Sequence, residues 1–449
     1  MQKLVCLLLT LLFTTVSVSA ESLNKTINSL GINKSALSVS IKDVKNGESL
    51  FSLNDRTPRL PASTLKLITA SAAYDVLGDD YEYKTEMYKS TNNDVYLKLS
   101  GDPSLSKSDL EAILETAKSK NIVPKTFYID DTAFDSVEWG EGWQWDDELN
   151  PLMPKFSVYN IDKNLLKIEA ATTVQAAPAQ LSVKPFYPMS FINQVKSDIK
   201  GNNQLSIKRN ETIAPNMFEV SGSISRANYI TIPALNQKLF FRLRLEEAIS
   251  KKKFEYYGQF KSEKLPKENV YYVDGVSHKF VELLPSILKS SNNLIAETVF
   301  KTAGAKWANS QGTAENSLAM LDDYIQNIGL SANDVKIVDG SGVSKNNIMT
   351  ADFMTDFLIY KAKQENFEDF CNMLPTPGEG TLKNRMLYFK ENLRAKTGTL
   401  SEASAIAGYL TTKRGRLVVF DIMINDANTS AADKKNVEEQ ILRNIYLNY

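Results

Sequence analysis

The chain changes texture twice along its length, and those changes bound the folds open to it. Ala36-Leu37-Ser38-Val39-Ser40-Ile41-Lys42-Asp43-Val44 alternates with the period of a strand, Lys45-Asn46-Gly47-Glu48 turns, and Ser49–Leu53 returns as a second arm. A helix is expected next, because Pro61 suits a first turn, good helix formers follow through Ala70, Ala72 and Ala73, and Gly78 offers a C-terminal cap. From about Tyr83 to Tyr272 the pattern breaks into short strand-like runs such as Val95–Leu99 and Thr126–Asp130, with a helix over Asp109–Lys118 and Gly, Pro and Asn clusters between. Inside that stretch, residues from Lys167 to about Thr231 show almost no helical period and predict a small nested β unit. From His278 helical spacing returns in Phe280–Leu288, Ser291–Lys301 and Ala314–Ile328. Strands are expected at Leu393–Thr397, Ser404–Thr411 and Leu417–Asn425, and a closing helix, Asp433–Tyr446, has an apolar stripe of Val437, Ile441 and Ile445 expected to dock on a sheet.

At 449 residues the chain is long enough for two or three domains. Its 53 acidic and 52 basic side chains nearly cancel, so nothing in the charge recommends nucleic acid or an anionic surface as a partner. Met1-Gln2-Lys3, the apolar run Leu4–Phe13 and the small residues Val18-Ser19-Ala20 form the three parts of an export signal, with cleavage expected near Ala20 and a periplasmic destination. That run is too short to span a membrane, and no later one is long enough. Cys6 would leave with the leader, so Cys371 has no disulfide partner and is expected in the core. His278 is the single histidine; a multi-histidine metal site is excluded, and its polar surroundings ahead of a helix suggest a surface role. A serine nucleophile in such a chain calls for a lysine base.

Ser63 and Lys66 meet that requirement, since residues three apart share a helix face and a first-turn serine faces unpaired N–H groups that favour a developing oxyanion. The spacing alone is weak: it recurs at Ser22/Lys25, Ser104/Lys107, Ser197/Lys200, Ser250/Lys253 and Ser286/Lys289. What singles out Ser63 is the order of three later stretches: Ser291-Asn292-Asn293 at the head of a helix, Asp339-Gly340-Ser341-Gly342 in a loop, and Lys396-Thr397-Gly398-Thr399 on a strand. Ser-x-x-Lys followed by Ser-x-Asn and Lys-Thr-Gly is the signature of β-lactamases and penicillin-binding proteins.

Over nearly the whole length after the leader, the chain resembles one branch of that group: the class C penicillin-binding proteins, D-alanyl-D-alanine carboxypeptidase/endopeptidases of the penicillin-binding-protein-4 type. The resemblance rests on Pro61–Lys66, Ser100-Gly101-Asp102-Pro103-Ser104-Leu105, Gly142-Trp143-Gln144-Trp145-Asp146-Asp147, Ser291–Glu297, Asp339–Gly342 and Arg394–Leu400, and on the 224 residues separating Lys66 from Ser291. It implies an α/β (α+β) serine β-lactamase/transpeptidase-like domain, an antiparallel sheet flanked by helices, built from 21–82 and 275–449. The insert would occupy 83–166 and 232–274, with the nested β-rich domain at 167–231. Two departures stand out. Pro154–Asn160 replaces the family's usual run, and the loop Leu374–Leu382 is one residue shorter than the usual form; both put side-chain preference in question more than chemistry.

The resemblance also implies roles. Ser63 attacks the carbonyl of the penultimate D-alanine of a peptidoglycan stem peptide, or a β-lactam antibiotic. Lys66 takes its proton, made basic by burial or by Lys396 as a second cation. Ser291 relays a proton to the leaving D-alanine, and Asn293 bonds the substrate amide and the lysine. The N–H groups of Ser63 and Thr399 form the oxyanion hole, while Lys396, Thr397 and Thr399 hold the terminal carboxylate and Gly398 admits the substrate backbone. No cofactor or metal is called for. Asp146 or Asp147 is expected to receive the amine of a diaminopimelate-type side chain; a turn-capping role is the alternative. The rival functions are a β-lactamase and a silent cell-wall-binding scaffold.

Overall fold

The computed structural model describes residues 19–449; residues 1–18, which hold most of the expected leader, lie outside the described residues. The chain forms two compact units. One holds the chain up to Asp80, Gly140–Trp143 and Phe280–Tyr449, and the other holds Tyr81–Trp139 and Gln144–Lys279.

In the first unit an antiparallel five-stranded sheet runs in the order Leu393–Thr399, Ala403–Thr411, Leu417–Asn425, Leu37–Asp43, Ser49–Leu53. The N-terminal hairpin therefore completes a sheet begun by the end of the chain, with Ile41 opposite Phe420 and Lys396 opposite Ala407. Leu37–Asp43 is buried at all seven positions, because helices cover both faces. On one face Val39, Ile41, Ile406, Phe420 and Ile422 meet the closing helix Ala431–Asn448 through Val437, Ile441 and Ile445, and the helix over 19–29 through Leu23 and Ile27. Each such side chain removed from water contributes about 1.5–3 kcal/mol. On the other face Ala405 and Met423 meet Ala351 at the head of the helix Ala351–Ala362.

The helix Lys66–Leu77 buries nine of its twelve residues, which is why its sequence is small or apolar all round and shows no stripe. It packs against Asn293–Ala308 and ends at Gly78, whose φ of +74° no larger residue adopts easily. The expected helix start at Pro61 is displaced. Ala62–Leu65 is a single 3-10 turn, and the α-helix begins only at Lys66.

The second unit centres on a mixed sheet in the order Phe260–Ser262, Phe127–Asp130, Val95–Lys98, Glu82–Ser90, Val270–Lys279. Helices Lys107–Ser119 and Gln237–Lys252 pack on it through Leu110, Leu114, Phe241 and Leu245. The nested β region is two three-stranded sheets, one of Asn228–Pro233, Leu165–Ala171 and Gln180–Lys184, the other of Ser190–Ser197, Met217–Ile224 and Gln204–Arg209.

The polar lead-in that carries His278 runs into the helical turn Phe280–Leu283, as expected, but it is itself a strand. His278 lies at the end of the strand Val270–Lys279, opposite Tyr83, with Nδ1 2.5 Å from Asp102 Oδ2. Gly275 and the polar Ser277-His278-Lys279 disguise that strand, whose pairing with Glu82–Ser90 also has a register shift between Tyr272 and Asp274. Cys371 is a buried free thiol, as its isolation suggested. Among the described residues no helix is long and apolar enough to cross a membrane.

Candidate active site

The site is built around a closely enclosed turn. Ala62, the residue before Ser63, has φ +47°, a left-handed conformation that costs a non-glycine residue of order 1–3 kcal/mol. Two glycines from distant motifs hold it there. A Cβ on Gly342 would stand 2.0 Å from Ala62 O, and a Cβ on Gly398 would stand 2.9 Å from Ala62 Cβ and 2.8 Å from Ser63 N. The loop of the Asp339 motif and the strand of the Lys396 motif therefore close on the turn from two sides, and only glycine permits the approach. Besides the room expected for substrate, Gly398 makes room for the turn that carries Ser63.

Lys66 follows on the first residue of the α-helix, completely buried. Its Nζ donates to Ser63 Oγ at 2.9 Å, Asn293 Oδ1 at 2.6 Å and Ser341 O at 2.5 Å. Three acceptors satisfy an ammonium group. When the amine is neutral, two N–H bonds go to Asn293 and Ser341, and the lone pair is left facing the Ser63 hydroxyl. Burial pulls the Lys66 pKa down to about 8, against the opposing pull of Asp339 and Glu297.

Lys396, on the strand Leu393–Thr399, is also completely buried and donates to Ser291 Oγ at 2.8 Å and to Thr397 O at 2.6 Å. Burial first, and the charge of Lys66 second, hold its pKa well below the ordinary lysine value. Repulsion between the two ammonium groups is mutual, so each amine favours the neutral form of the other, on top of the burial that both share. An incoming carboxylate would supply the counter-charge that Lys396 lacks. Ser291 stands at φ +58° just before the helix Asn293–Ala308, which also carries Asn293.

Thr397 Oγ1 donates to Thr381 Oγ1 at 2.7 Å, so the shortened Leu374–Leu382 loop lies against the cationic strand. Gly380 in that loop is needed because a Cβ there would meet Lys289 O at 2.2 Å, with φ at +48°. Thr399 ends the strand, opposite Ser404, and is exposed. The structure thus brings together Ser63, Lys66, Ser291, Asn293, Lys396, Thr397, Gly398 and Thr399. Asp146 and Asp147 belong to the second unit, on the 3-10 turn Trp145–Asp147.

Sequence reasoning gave no role to three groups that complete the geometry: the Ser341 carbonyl, Thr381 and Asp339. Asp339 accepts from Gly342 N at 2.8 Å, Ser344 N at 2.7 Å, Asn347 Nδ2 at 2.8 Å and Trp143 Nε1 at 2.9 Å, fixing the loop whose carbonyl reaches Lys66. A carboxylate between a strand and two glycines was the available signal, since Asp readily bonds the backbone of its own turn. Among the described residues no cluster of His, Cys, Asp and Glu could hold a metal ion.

The chain as a whole is similar to known proteins. The D-Ala-D-Ala carboxypeptidase 3 (S13) family model matches residues 19–445. A D-alanyl-D-alanine carboxypeptidase of an Actinomadura species is 28% identical over 418 residues, covering 86% of this chain and 77% of that protein. The D-alanyl-D-alanine carboxypeptidase DacB of Haemophilus influenzae is 23% identical over 428 residues, covering 90% and 89%. The crystal structure of penicillin binding protein 4 from Haemophilus influenzae superposes with a TM-score of 0.81 at 23% identity, covering 92% of this chain and 96% of that one.

Proposed function

The chain belongs to the D-Ala-D-Ala carboxypeptidase 3 (S13) family, and from that premise we propose that Ser63 is the residue it acylates. The protein is a serine-type DD-peptidase that acts on peptidoglycan through an acyl-enzyme. The observation that carries the residue assignment is Lys66: a buried amine 2.9 Å from Ser63 Oγ, with a pKa pulled down to about 8.

Neutral Lys66 takes the Ser63 proton as Oγ attacks the carbonyl of the penultimate D-alanine of the stem peptide. The oxyanion is received by the N–H groups of Ser63 and Thr399, an interaction worth about 3 kcal/mol per donor. The terminal carboxylate lies against Lys396, Thr397 and Thr399 and favours the charged form of Lys396. Ser291, held by Lys396 at 2.8 Å, relays the proton taken up by Lys66 to the leaving amine, so that D-alanine departs and Lys66 is neutral again. Water then attacks the ester with Lys66 again as base. A β-lactam antibiotic presents the same amide and carboxylate and acylates the same serine.

Asp146 or Asp147 receives the free amine of a diaminopimelate-type residue in the stem. The motive is charge: a cleft with cations at Lys66 and Lys396 needs a carboxylate elsewhere to hold an amine. The location is periplasmic, reached by a leader cleaved near Ala20. The test of the nucleophile is release of D-alanine from a stem peptide by wild type and by Ser63→Ala. The variant is expected to lose release while its thermal midpoint stays close to that of wild type; release near the wild-type rate overturns the assignment.

A further inference from the structure

Glu297 sits one turn after Asn293 on the helix Asn293–Ala308, within Leu294-Ile295-Ala296-Glu297-Thr298-Val299-Phe300, and is 2% exposed. A carboxyl group at that depth is costly unless it is bonded. Its two oxygens reach the loop of the Asp339 motif. Oε1 accepts the Ser341 N–H at 2.8 Å and Oε2 accepts the Gly340 N–H at 3.2 Å.

We propose that Glu297 is a positioning residue for Lys66: it clamps the Gly340–Ser341 backbone and so holds the Ser341 carbonyl on the lysine amine. The proposal rests on the reading of Ser63 and Lys66 given above. The Ser341 carbonyl is one of two acceptors that orient neutral Lys66, at 2.5 Å, and Asn293 Oδ1 is the other, at 2.6 Å. Asn293 and Glu297 stand four residues apart, on one face of one helix. A single rigid element therefore sets both acceptors, one directly and one through the loop. The loop also lies directly on that helix, since a Cβ on Gly340 would stand 2.6 Å from Phe300 Cβ. If the Ser341 carbonyl were released, the amine would be free to turn its lone pair away from Ser63.

The charged groups facing Glu297 are Asp339 from the loop and Lys66 from its helix; Lys301 is buried one turn further on its own helix. Burial and Asp339 push the Glu297 carboxyl up to about 8, while the two N–H bonds and Lys66 favour its ionised form. It titrates over the same range as Lys66, and the charge it gains there stabilises the Lys66 ammonium. Glu297→Gln keeps the size of the side chain but removes that charge and one of the two acceptor oxygens.

The test is the second-order rate of acylation by a fluorescent penicillin from about pH 6 to about pH 9, for wild type, Glu297→Gln and Glu297→Asp, with thermal midpoints measured alongside. The expected result for Glu297→Gln is a limiting rate lower by roughly ten-fold or more, with the ascending limb moved to lower pH because Lys66 has lost the anion that held its proton. Glu297→Asp keeps the charge but not the reach, so its rate falls while the limb stays in place. An unchanged rate and limb in Glu297→Gln overturn the proposal. So does a fallen rate with an unmoved limb, which marks structural support only. If Glu297→Gln does not fold, Glu297→Asp at the wild-type rate overturns it. Failure of wild type to label at all would instead sink the reading of Ser63.

Discussion

Gly398→Ala tests whether the cationic strand sets the nucleophile. The new Cβ would lie 2.8 Å from Ser63 N, 2.9 Å from Ala62 Cβ and 3.0 Å from Pro61 O, where ordinary contacts are 3.4–4 Å. Two of those atoms are backbone, so no rotamer change relieves the clash, and the turn or the strand must retreat by roughly 0.5–1 Å. Overfilling of this kind costs about 1–3 kcal/mol, a fall of several degrees in thermal midpoint. A nucleophile displaced by about 1 Å loses about 10²-fold, so the predicted drop in acylation rate is about 10–100-fold in a protein that still folds. The assay is stopped-flow acylation by a fluorescent penicillin with the midpoint measured on the same samples. Gly329→Ala is the control: at φ +78° in open space it strains the backbone far from the turn, and should lose stability without losing rate. Acylation of Gly398→Ala within about two-fold of wild type would refute the claim that this strand sets the turn.

Lys66→Ala removes the base, so acylation at neutral pH stops, whereas in wild type the rate rises with pH through about 8, where Lys66 loses its proton; unchanged acylation by the variant would show that another base serves. Lys396→Ala removes the cation expected to meet the terminal carboxylate, so the preference for a D-alanine-terminated peptide over its carboxamide should fall by about 30-fold or more, and a preserved preference counts against that role. Asp421 is buried, and burial raises its pKa well above the ordinary aspartate value. The folded chain then keeps a proton that the unfolded chain releases, so this contribution to stability is complete below about pH 4 and declines as pH rises toward the folded value. Relative to wild type, Asp421→Asn should therefore gain thermal midpoint between about pH 5 and about pH 8, and a constant difference would contradict the assignment. For the second unit, Asp146→Asn or Asp147→Asn should narrow the preference for a stem peptide with a free amine over its acetylated form by a few-fold to about ten-fold; if neither does, this stretch has no part in recognition.

Much of this fold was legible because the elements with one covered face carry periodic patterns. The Val437, Ile441, Ile445 stripe declared its burial directly, and the Ile41 hairpin was readable from its alternation and its turn although Leu37–Asp43 is covered on both faces. The helix Lys66–Leu77 was recognisable only through its composition and its glycine cap, since a helix enclosed on every side has no stripe to read. Val270–Lys279 escaped as a strand because its polar end and register shift break the two-residue alternation. At the site, the side chains that carry charge were visible as motifs, but their reasons were not. No spacing reveals that Gly342 and Gly398 meet over Ala62, 280 and 336 residues away in the chain. Nor does any pattern show that a backbone carbonyl, Ser341 O, is a partner of the base. Such contacts belong to tertiary geometry. Glu297 did leave a trace, as the one acidic residue of a largely apolar helix, four residues from Asn293.

The most direct test of the central claim is peptide mapping by mass spectrometry after reaction with benzylpenicillin. The account predicts one covalent penicilloyl group, carried on Ser63, formed faster as pH rises through about 8 and absent from Ser63→Ala. An adduct on any other residue, or intact folded protein that takes up none, would contradict it.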